Sequence, residues 1–154
     1  LAKKIKEKIP DIGLTTDIIV GFPGETDEDF QDTMDVVNEV GFENAFMFMY
    51  SKRSGTPAAT MEEQVDEQVK NERLQQLMRL QNYKAKEESQ KYLGKTVKVL
   101  VEGPSRKNPE MLTGRTSTHK IVLFKSDRTD LKGKFVHTRI YEAKTWTLYG
   151  ELEE

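Results

Sequence analysis

The residues with the clearest potential for chemistry surround a Gly/Pro turn near the N-terminus. Residues 15–26 read TTDIIVGFPGET, a short β-branched apolar run followed by a Gly-Phe-Pro-Gly turn and the polar start of a helix. The carboxylates of Asp17 and Glu25 can accept hydrogen bonds, and Gly21 permits close approach to the backbone. Ligands of α/β folds sit at the carboxyl ends of strands, where this turn lies. The turn is therefore the candidate ligand site.

Three more side chains complete this candidate site. Ile19 and Phe22 offer apolar surface beside the turn, and Arg53 lies on the loop after the next predicted strand, where it can pair with a carboxylate. Ordinary structural roles are the alternatives. Asp17 can satisfy backbone donors at a strand start, Glu25 can stabilise a helix N-terminus, and Arg53 can lie on a solvated loop.

A βαβ unit is predicted to position these residues. The apolar run predicts a strand over residues 14–20, and Thr26 with Asp29 three residues later predicts a capped helix that ends at Gly41. A second apolar run predicts another strand over residues 44–50. Because a helix connects the two strands, we expect them to be parallel.

Two further helices flank this unit. Residues 1–9 resemble the end of a helix that Pro10 stops. After a Ser/Gly/Pro-rich loop at residues 51–60, a long helix is predicted from about residue 61 to about residue 93, with Thr60 as its cap. Its core-facing side is predicted to consist of Val65, Val69, Leu74, Leu77, Leu80 and Tyr83.

From residue 95 the pattern changes to short alternating runs at even spacing. Five strands are predicted, over residues 96–101, 112–116, 121–124, 135–140 and 145–150. Five short strands in about sixty residues indicate a small closed or nearly closed antiparallel barrel of OB-like type. The chain is therefore interpreted as an α/β part, residues 1–93, followed by an all-β part, residues 94–154.

The α/β part is too short to stand as an ordinary domain. Two parallel strands and their helices cannot cover both faces of a sheet, and an all-parallel arrangement needs more strands beside it. We interpret residues 1–93 as the last βα units of a larger TIM-type barrel, of which this chain holds only a part. The chain begins with Leu rather than Met, which also suggests a piece of something longer.

Composition limits the possible functions. The chain has 154 residues, of which 36% are hydrophobic and 32% charged, and no apolar stretch approaches the roughly 18 residues needed to span a bilayer. It contains no cysteine, which excludes disulfides and thiolate metal or iron–sulfur ligation by these residues. The two histidines, His119 and His137, are too far apart in sequence to suggest a metal site.

The charges are distributed unevenly along the chain. Residues 1–94 carry 12 Lys and Arg against 18 Asp and Glu, whereas residues 95–154 carry 12 against 8. A basic barrel is expected to meet a polyanion. Tyr141 or Trp146 could stack on bases, although Trp146 could equally lie in the barrel core. The candidate phosphate-binding residues are Lys98, Arg115, Lys120, Arg139 and Lys144.

Several of these motifs together resemble a known family. The segments TTDIIVGFPGET, FMFMYSKRSGTPAATM and VKNERLQQLMRLQ resemble the end of the radical-SAM domain of tRNA methylthiotransferases of the MiaB type. The segments YLGKTVKVLVEG, LTGRTSTHKIVLF and LKGKFVHTRIYEAKTWTLYGEL resemble the TRAM domain that closes those enzymes. The resemblance covers essentially the whole chain, in order.

The resemblance implies a function for the parent protein. The family adds a methylthio group to an isopentenyl-modified adenosine beside the tRNA anticodon, using S-adenosylmethionine (SAM) and two 4Fe–4S clusters. One cluster binds a CxxxCxxC motif and the other binds three cysteines of an N-terminal domain, so all these ligands would lie upstream of Leu1. We therefore expect a cytoplasmic, tRNA-binding fragment that holds no catalytic or metal-binding residue and is inactive alone.

The resemblance also assigns the turn a ligand. The first strand aligns with the radical-SAM pattern GxIxGxxE, which Ile19 and Gly21 match, while Asp17 replaces the first Gly and Glu25 falls one residue late. The resemblance thus implies that Asp17, Ile19, Gly21, Phe22, Glu25 and Arg53 lie at the SAM site. Ile19 and Phe22 would then face the purine.

Two alternatives remain. Relatives that methylthiolate a ribosomal-protein Asp share both domains, but their TRAM segment is acidic where residues 116–120 here read TSTHK, which favours RNA. A stand-alone RNA-binding module is the second alternative. A truncated barrel would expose strand edges and apolar helix faces, so self-association through residues 14–50, or partial disorder there, is expected.

Overall fold

The computed structural model describes residues 1–153, which divide into two compact units. One unit comprises essentially residues 14–84, and the other comprises residues 3–13 together with residues 85–153. The elements are, in order, α1 (Ala2–Lys8), β1 (Thr15–Val20), α2 (Asp27–Val40), β2 (Asn44–Met49), a 3₁₀ turn (Pro57–Thr60), α3 (Glu67–Gln90), β3 (Thr96–Pro104), β4 (Met111–Arg115), β5 (Ile121–Lys125), β6 (Phe135–Ala143) and β7 (Thr147–Glu153).

The predicted βαβ unit is confirmed. β1 and β2 pair in parallel, from Thr15 opposite Asn44 to Val20 opposite Met49. One side of this sheet packs on its helices around a core of Val20, Phe30, Val37 and Leu77.

The predicted ends of α2 are also confirmed. The Thr26 hydroxyl accepts the Asp29 N–H at 3.1 Å, and the Asp29 carboxylate accepts the Thr26 N–H at 2.8 Å, which forms a reciprocal capping box. Gly41 terminates the helix in the left-handed conformation. These bonds satisfy backbone groups that the first and last turns of a helix leave unpaired.

The start of α3 corrects the prediction. The helix begins at Glu67 rather than near residue 61. Thr60 does not cap it, because the Thr60 hydroxyl donates to the Pro57 carbonyl at 2.9 Å within the 3₁₀ turn. The cap is instead supplied by the Asp66 carboxylate, which accepts the Gln68 N–H at 2.8 Å.

The predicted core-facing side of α3 is partly wrong. Leu77 is buried as predicted, whereas Tyr83 is 61% exposed and Val65 lies ahead of the helix. Tyr83 is six residues from Leu77, which places it well around the helix from the buried stripe. The buried positions recur every three or four residues and are largely polar: Lys70, Arg73, Leu77, Gln81, Ala85 and Ser89.

The C-terminal strands form a closed barrel in the order β3-β4-β5-β7-β6. Four of the five strand pairs are antiparallel, but β5 and β7 are parallel, so the prediction of an antiparallel barrel is wrong for that pair. Successive strands alternate in direction, so β5 and β7 run the same way. They lie side by side because β6, the strand between them in sequence, pairs with β3 and β7 instead of β5. The core consists of Val99, Val101, Val122, Phe124, Leu131, Val136, Ile140 and Leu148.

The two candidate stacking residues of the barrel lie outside this core. Trp146 precedes β7, which begins at Thr147 rather than residue 145, and its side chain is exposed. The alternative that placed Trp146 in the core is therefore wrong. Tyr141 is also exposed and occupies a bulge of β6 between Ile140 and Glu142.

Replacement of Gly150 by Ala should destabilise the barrel. A Cβ at Gly150 would lie 2.4 Å from Thr138 Cγ2 and 2.8 Å from the Arg139 carbonyl oxygen. Overpacking of this kind costs about 1–3 kcal/mol. Urea unfolding followed by the fluorescence of Trp146 should show this loss, whereas the exposed Lys132→Ala control should stay within about 0.5 kcal/mol of wild type. Equal midpoints for the two variants would contradict the packing described.

The pKa of the Asp29 carboxyl should lie below its ordinary value of 3.8, because the carboxylate accepts hydrogen bonds from the backbone N–H and the hydroxyl of Thr26. A pKa lowered by folding stabilises the protein above pH 3.8, and this contribution is lost as the pH falls through the folded-state value. Carboxyl ¹³C NMR should show a low midpoint that moves toward 3.8 in Thr26→Ala. A wild-type midpoint at or above 3.8 would contradict the capping box.

Candidate functional site

One face of the β1–β2 sheet is open. Side chains alternate along a strand, so Asp17 and Ile19 point away from the core that holds Val20. Their register partners on β2 are Phe46 and Phe48, and Ile19, Phe46 and Phe48 are each more than half exposed. We call Asp17, Ile19, Phe46 and Phe48 the open sheet face. It is an apolar surface that carries one carboxylate.

The β1–α2 turn follows directly from this face. Gly21 has φ of +71°, and a Cβ there would lie 2.1 Å from Lys70 Cγ, so both backbone and space require glycine. The Gly21 N–H donates to Glu25 Oε1 at 2.9 Å. Phe22 is partly exposed, and its ring packs edge-to-face with the ring of Tyr50, with centroids 5.2 Å apart.

A buried arginine of α3 holds this turn in place. Arg73 is only 6% exposed, and its Nη1 donates to Glu25 Oε1 at 2.7 Å and to the Glu25 carbonyl at 3.1 Å. Its Nη2 donates to Asp27 Oδ1 at 2.7 Å, and the guanidinium lies 5.6 Å from the centre of the Phe30 ring. Glu25 Oε1 thus joins the Arg73 cation to the Gly21 amide.

The electrostatics of Arg73 favour its charged form. Burial lowers the pKa of Arg73, but the hydrogen bonds to Asp27 and Glu25 outweigh burial, and the pKa lies above its ordinary value. The Glu25 side chain is 11% exposed, so this ion pair is shielded from water, whereas Asp27 is almost fully exposed. Water therefore screens the pair with Glu25 less than the pair with Asp27.

Sequence reasoning missed Arg73. The available signal was its position four residues before Leu77, on the predicted core-facing side of the helix. An arginine at such a position needs an anionic partner, but the sequence does not show which carboxylate supplies it.

The structure separates the predicted ligand residues into groups. Asp17 and Ile19 lie on the open sheet face, and Gly21 and Phe22 follow them in the turn. The Glu25 side chain is largely buried against Arg73. Arg53 is exposed on the loop after β2, where its carbonyl accepts the Thr56 hydroxyl.

The barrel carries a second candidate surface where β3 and β6 pair. Lys98 is opposite His137, Thr96 is opposite Arg139, and Leu100 is opposite Phe135, and all six residues are exposed. We call these six residues the β3–β6 face. The Lys98 ammonium lies 4.4 Å from the centre of the Phe135 ring. Sequence reasoning missed Phe135, although the alternation in FVHTR places Phe135, His137 and Arg139 on one side.

The predicted phosphate-binding residues are only partly brought together. Lys98 and Arg139 lie on the β3–β6 face, and Arg115 is adjacent to it because it is the register partner of Leu100. The Arg115 guanidinium pairs with Glu102 at 2.9 Å. Lys120 is instead 6% exposed, and its Nζ donates to Ser89 Oγ at 3.0 Å.

Lys144 lies apart from this group, in the turn between β6 and β7. Its ammonium is 3.4 Å from Glu142 and 4.7 Å from the centre of the Tyr149 ring. The negative charge of Glu142 raises the pKa of Lys144 above its ordinary value. The lysine is therefore a charged, exposed residue with local partners.

Residues 1–153 contain neither a membrane-spanning helix nor a cluster of metal-ligating side chains. In this part of the chain, no helix is long and apolar enough to cross a membrane. The same residues contain no group of three or more His, Asp or Glu side chains arranged to hold a metal ion.

Comparison with known proteins identifies the C-terminal part. Residues 90–152 match the TRAM domain family. This part of the chain is similar to TRAM domains. This match spans all five barrel strands, β7 up to its penultimate residue, and includes the β3–β6 face.

The whole chain is similar to proteins named tRNA-2-methylthio-N(6)-dimethylallyladenosine synthase. It is 63% identical to the one from Fusobacterium nucleatum over 99% of this chain and 35% of the relative. It is 57% identical to the one from Acetivibrio thermocellus over 99% of this chain and 32% of the relative. The chain thus spans about a third of the length of these curated relatives. These matches confirm the resemblance to MiaB-type methylthiotransferases.

Replacement of Arg73 by Ala should destabilise the unit of residues 14–84 by about 3–5 kcal/mol, because it leaves the Glu25 carboxylate shielded from water without its cation. Arg73→Lys should recover only part of this loss, since an ammonium cannot reproduce the fork of bonds. Urea unfolding followed by circular dichroism at the helix band measures the change. Arg79→Ala, an exposed arginine of the same helix, is the control. A loss no larger than that of the control would contradict the role of Arg73.

Proposed function

We propose that this chain forms the C-terminal part of a MiaB-type tRNA methylthiotransferase. The observation that carries this proposal is the match to relatives of that printed name, at 53–63% identity over 99–100% of the chain. In the whole protein, residues 1–93 supply the end of a radical-SAM β/α barrel and residues 94–154 supply the tRNA-binding domain. The whole protein methylthiolates isopentenyl-adenosine beside the anticodon, in the cytoplasm.

The partial-barrel assignment is supported by the two faces of the β1–β2 sheet. In a β/α barrel, helices cover the outer face of the sheet and side chains fill the interior. Here the helix-covered face is packed, while the open sheet face presents Ile19, Phe46 and Phe48 to solvent. Such apolar exposure is expected of a sheet whose other face belongs to a larger interior.

The open sheet face also fits the purine-bearing end of SAM. Ile19 and Phe22 give exposed apolar surface at the carboxyl end of β1, and the Asp17 carboxylate on the same face can accept a hydrogen bond from an amine or ribose. Arg53 offers a cation for the SAM carboxylate. When bound, SAM supplies the radical that begins the chemistry.

The role of Glu25 in this site is indirect. Its carboxylate holds the Gly21 amide and is itself held by Arg73, so Glu25 fixes the turn that presents Ile19 and Phe22. The residues of this chain do not fit the two 4Fe–4S clusters, because the chain has no cysteine. The cluster ligands therefore belong to other parts of the whole protein.

tRNA binding is assigned to the β3–β6 face and its neighbour Arg115. Lys98, Arg139 and Arg115 present cations on adjacent strands, which suits contact with backbone phosphates. Lys120 stabilises the barrel near Ser89, and Lys144 adds a cation at the β6–β7 turn.

The double variant Lys98→Ala/Arg139→Ala should weaken tRNA binding and reduce its salt dependence. Each lost phosphate contact lowers the slope of log K against log salt by about 1, so the double variant should lower it by about 2. Fluorescence anisotropy with labelled tRNA across a salt series measures both quantities. Lys125→Ala, an exposed lysine on β5, which pairs with neither β3 nor β6, is the control. Absence of binding at low salt would refute the assignment.

We also propose that the isolated chain self-associates through residues 14–50. In the described chain β1 pairs only with β2, which leaves strand edges beside the apolar open sheet face.

The double variant Phe46→Ser/Phe48→Ser should reduce this association, because it removes two exposed rings from the open sheet face. Sedimentation velocity over a concentration series should show larger species for wild type than for this variant. Tyr83→Ser, an exposed aromatic residue of α3 outside residues 14–50, is the control. A compact wild-type monomer at the highest concentration would exclude self-association.

A further inference from the structure

The β3–β6 face carries an aromatic ring that the barrel does not bury. Phe135 is 62% exposed, and its register partner Leu100 is also exposed. Their neighbours Val99 and Val136 point inward and belong to the core. Phe135 and Leu100 therefore form a small apolar platform on the outside of the barrel.

Cations surround this platform on one side. The Lys98 ammonium lies 4.4 Å from the centre of the Phe135 ring, within the range of a cation–π contact. Arg115 is the register partner of Leu100, on the β4 side. A flat apolar surface beside cations matches a nucleotide, which combines a stacking base with an anionic phosphate.

Acidic residues limit the path on the opposite side. On β7, Glu151 is the register partner of Arg139, and Glu153 is the register partner of His137. A polyanion would be repelled from β7 and would run along the β3 side of Phe135. Glu102 is the nearest acid on β3, and it is already paired with Arg115.

We propose that Phe135, with Leu100 and Lys98, is a stacking platform for one unpaired RNA base. This inference rests on the proposed RNA-binding role of the barrel and narrows its ligand to a single-stranded or looped segment. A base within a duplex is stacked on its neighbours and cannot present its face to a side chain. Phosphate contacts by Lys98 and Arg115 would position the strand, while Phe135 would select for an unpaired base.

The experiment uses the 154-residue chain and two probes, an unstructured single-stranded RNA that contains 2-aminopurine and a blunt RNA duplex. Phe135→Ala should lower the affinity for the single strand about 5- to 100-fold, because a base–aromatic stack is lost. The salt slope should stay unchanged, and so should the affinity for the duplex. Lys98→Ala should instead lower the salt slope by about 1 for both probes.

Two further variants separate stacking from folding. Phe135→Tyr keeps an aromatic face and should retain both the affinity and the quenching of 2-aminopurine, which Phe135→Ala should lose. Tyr83→Ala removes an exposed aromatic residue of α3, outside the barrel, and is the matched control, which should bind like wild type.

The outcomes distinguish this inference from the proposed function. If Phe135→Ala binds the single strand like wild type while Lys98→Ala weakens binding, the stacking platform is wrong and RNA binding by the barrel stands. If Phe135→Ala weakens duplex binding equally, the loss is not stacking on an unpaired base. If the wild-type chain binds neither RNA at low salt, both proposals fail.

Discussion

The buried guanidinium of Arg73 is the constraint on which the βαβ unit depends. A charge taken out of water must be matched by hydrogen bonds, and Arg73 finds them in the side chain and carbonyl of Glu25 and in Asp27. Through Glu25 the same cation reaches the Gly21 amide. One side chain of α3 thus ties the end of β1 to the start of α2.

Both units place their candidate ligand-binding residues on the side of a sheet that the core does not use. In the βαβ unit, Val20 is buried while Ile19 is exposed, and in the barrel, Val136 is buried while Phe135 is exposed. This follows from the two-residue period of a strand. The apolar residues that form the core and those proposed to contact a ligand are therefore neighbours in sequence.

Residues with a local signal were predictable from the sequence. The Thr26–Asp29 capping box and the Gly41 helix end each depend on a few adjacent residues, and the parallel pairing of β1 and β2 follows from the single helix that connects them. The partners of Arg73, the burial of Lys120 and the parallel β5–β7 pair were not predictable, because each joins segments far apart in the chain. Alternation alone could not show that Trp146 lies in a turn before β7.

The position of β7 between β5 and β6 sets the order in which the barrel can fold. β3 to β6 can pair as β6-β3-β4-β5, but this ribbon stays open until β7 bridges its two ends. Closure therefore depends on contacts between distant segments, which slows folding. During synthesis, the edges of β5 and β6 would remain unpaired until residues 147–153 emerge, and the nascent domain would be open to misassembly in that interval.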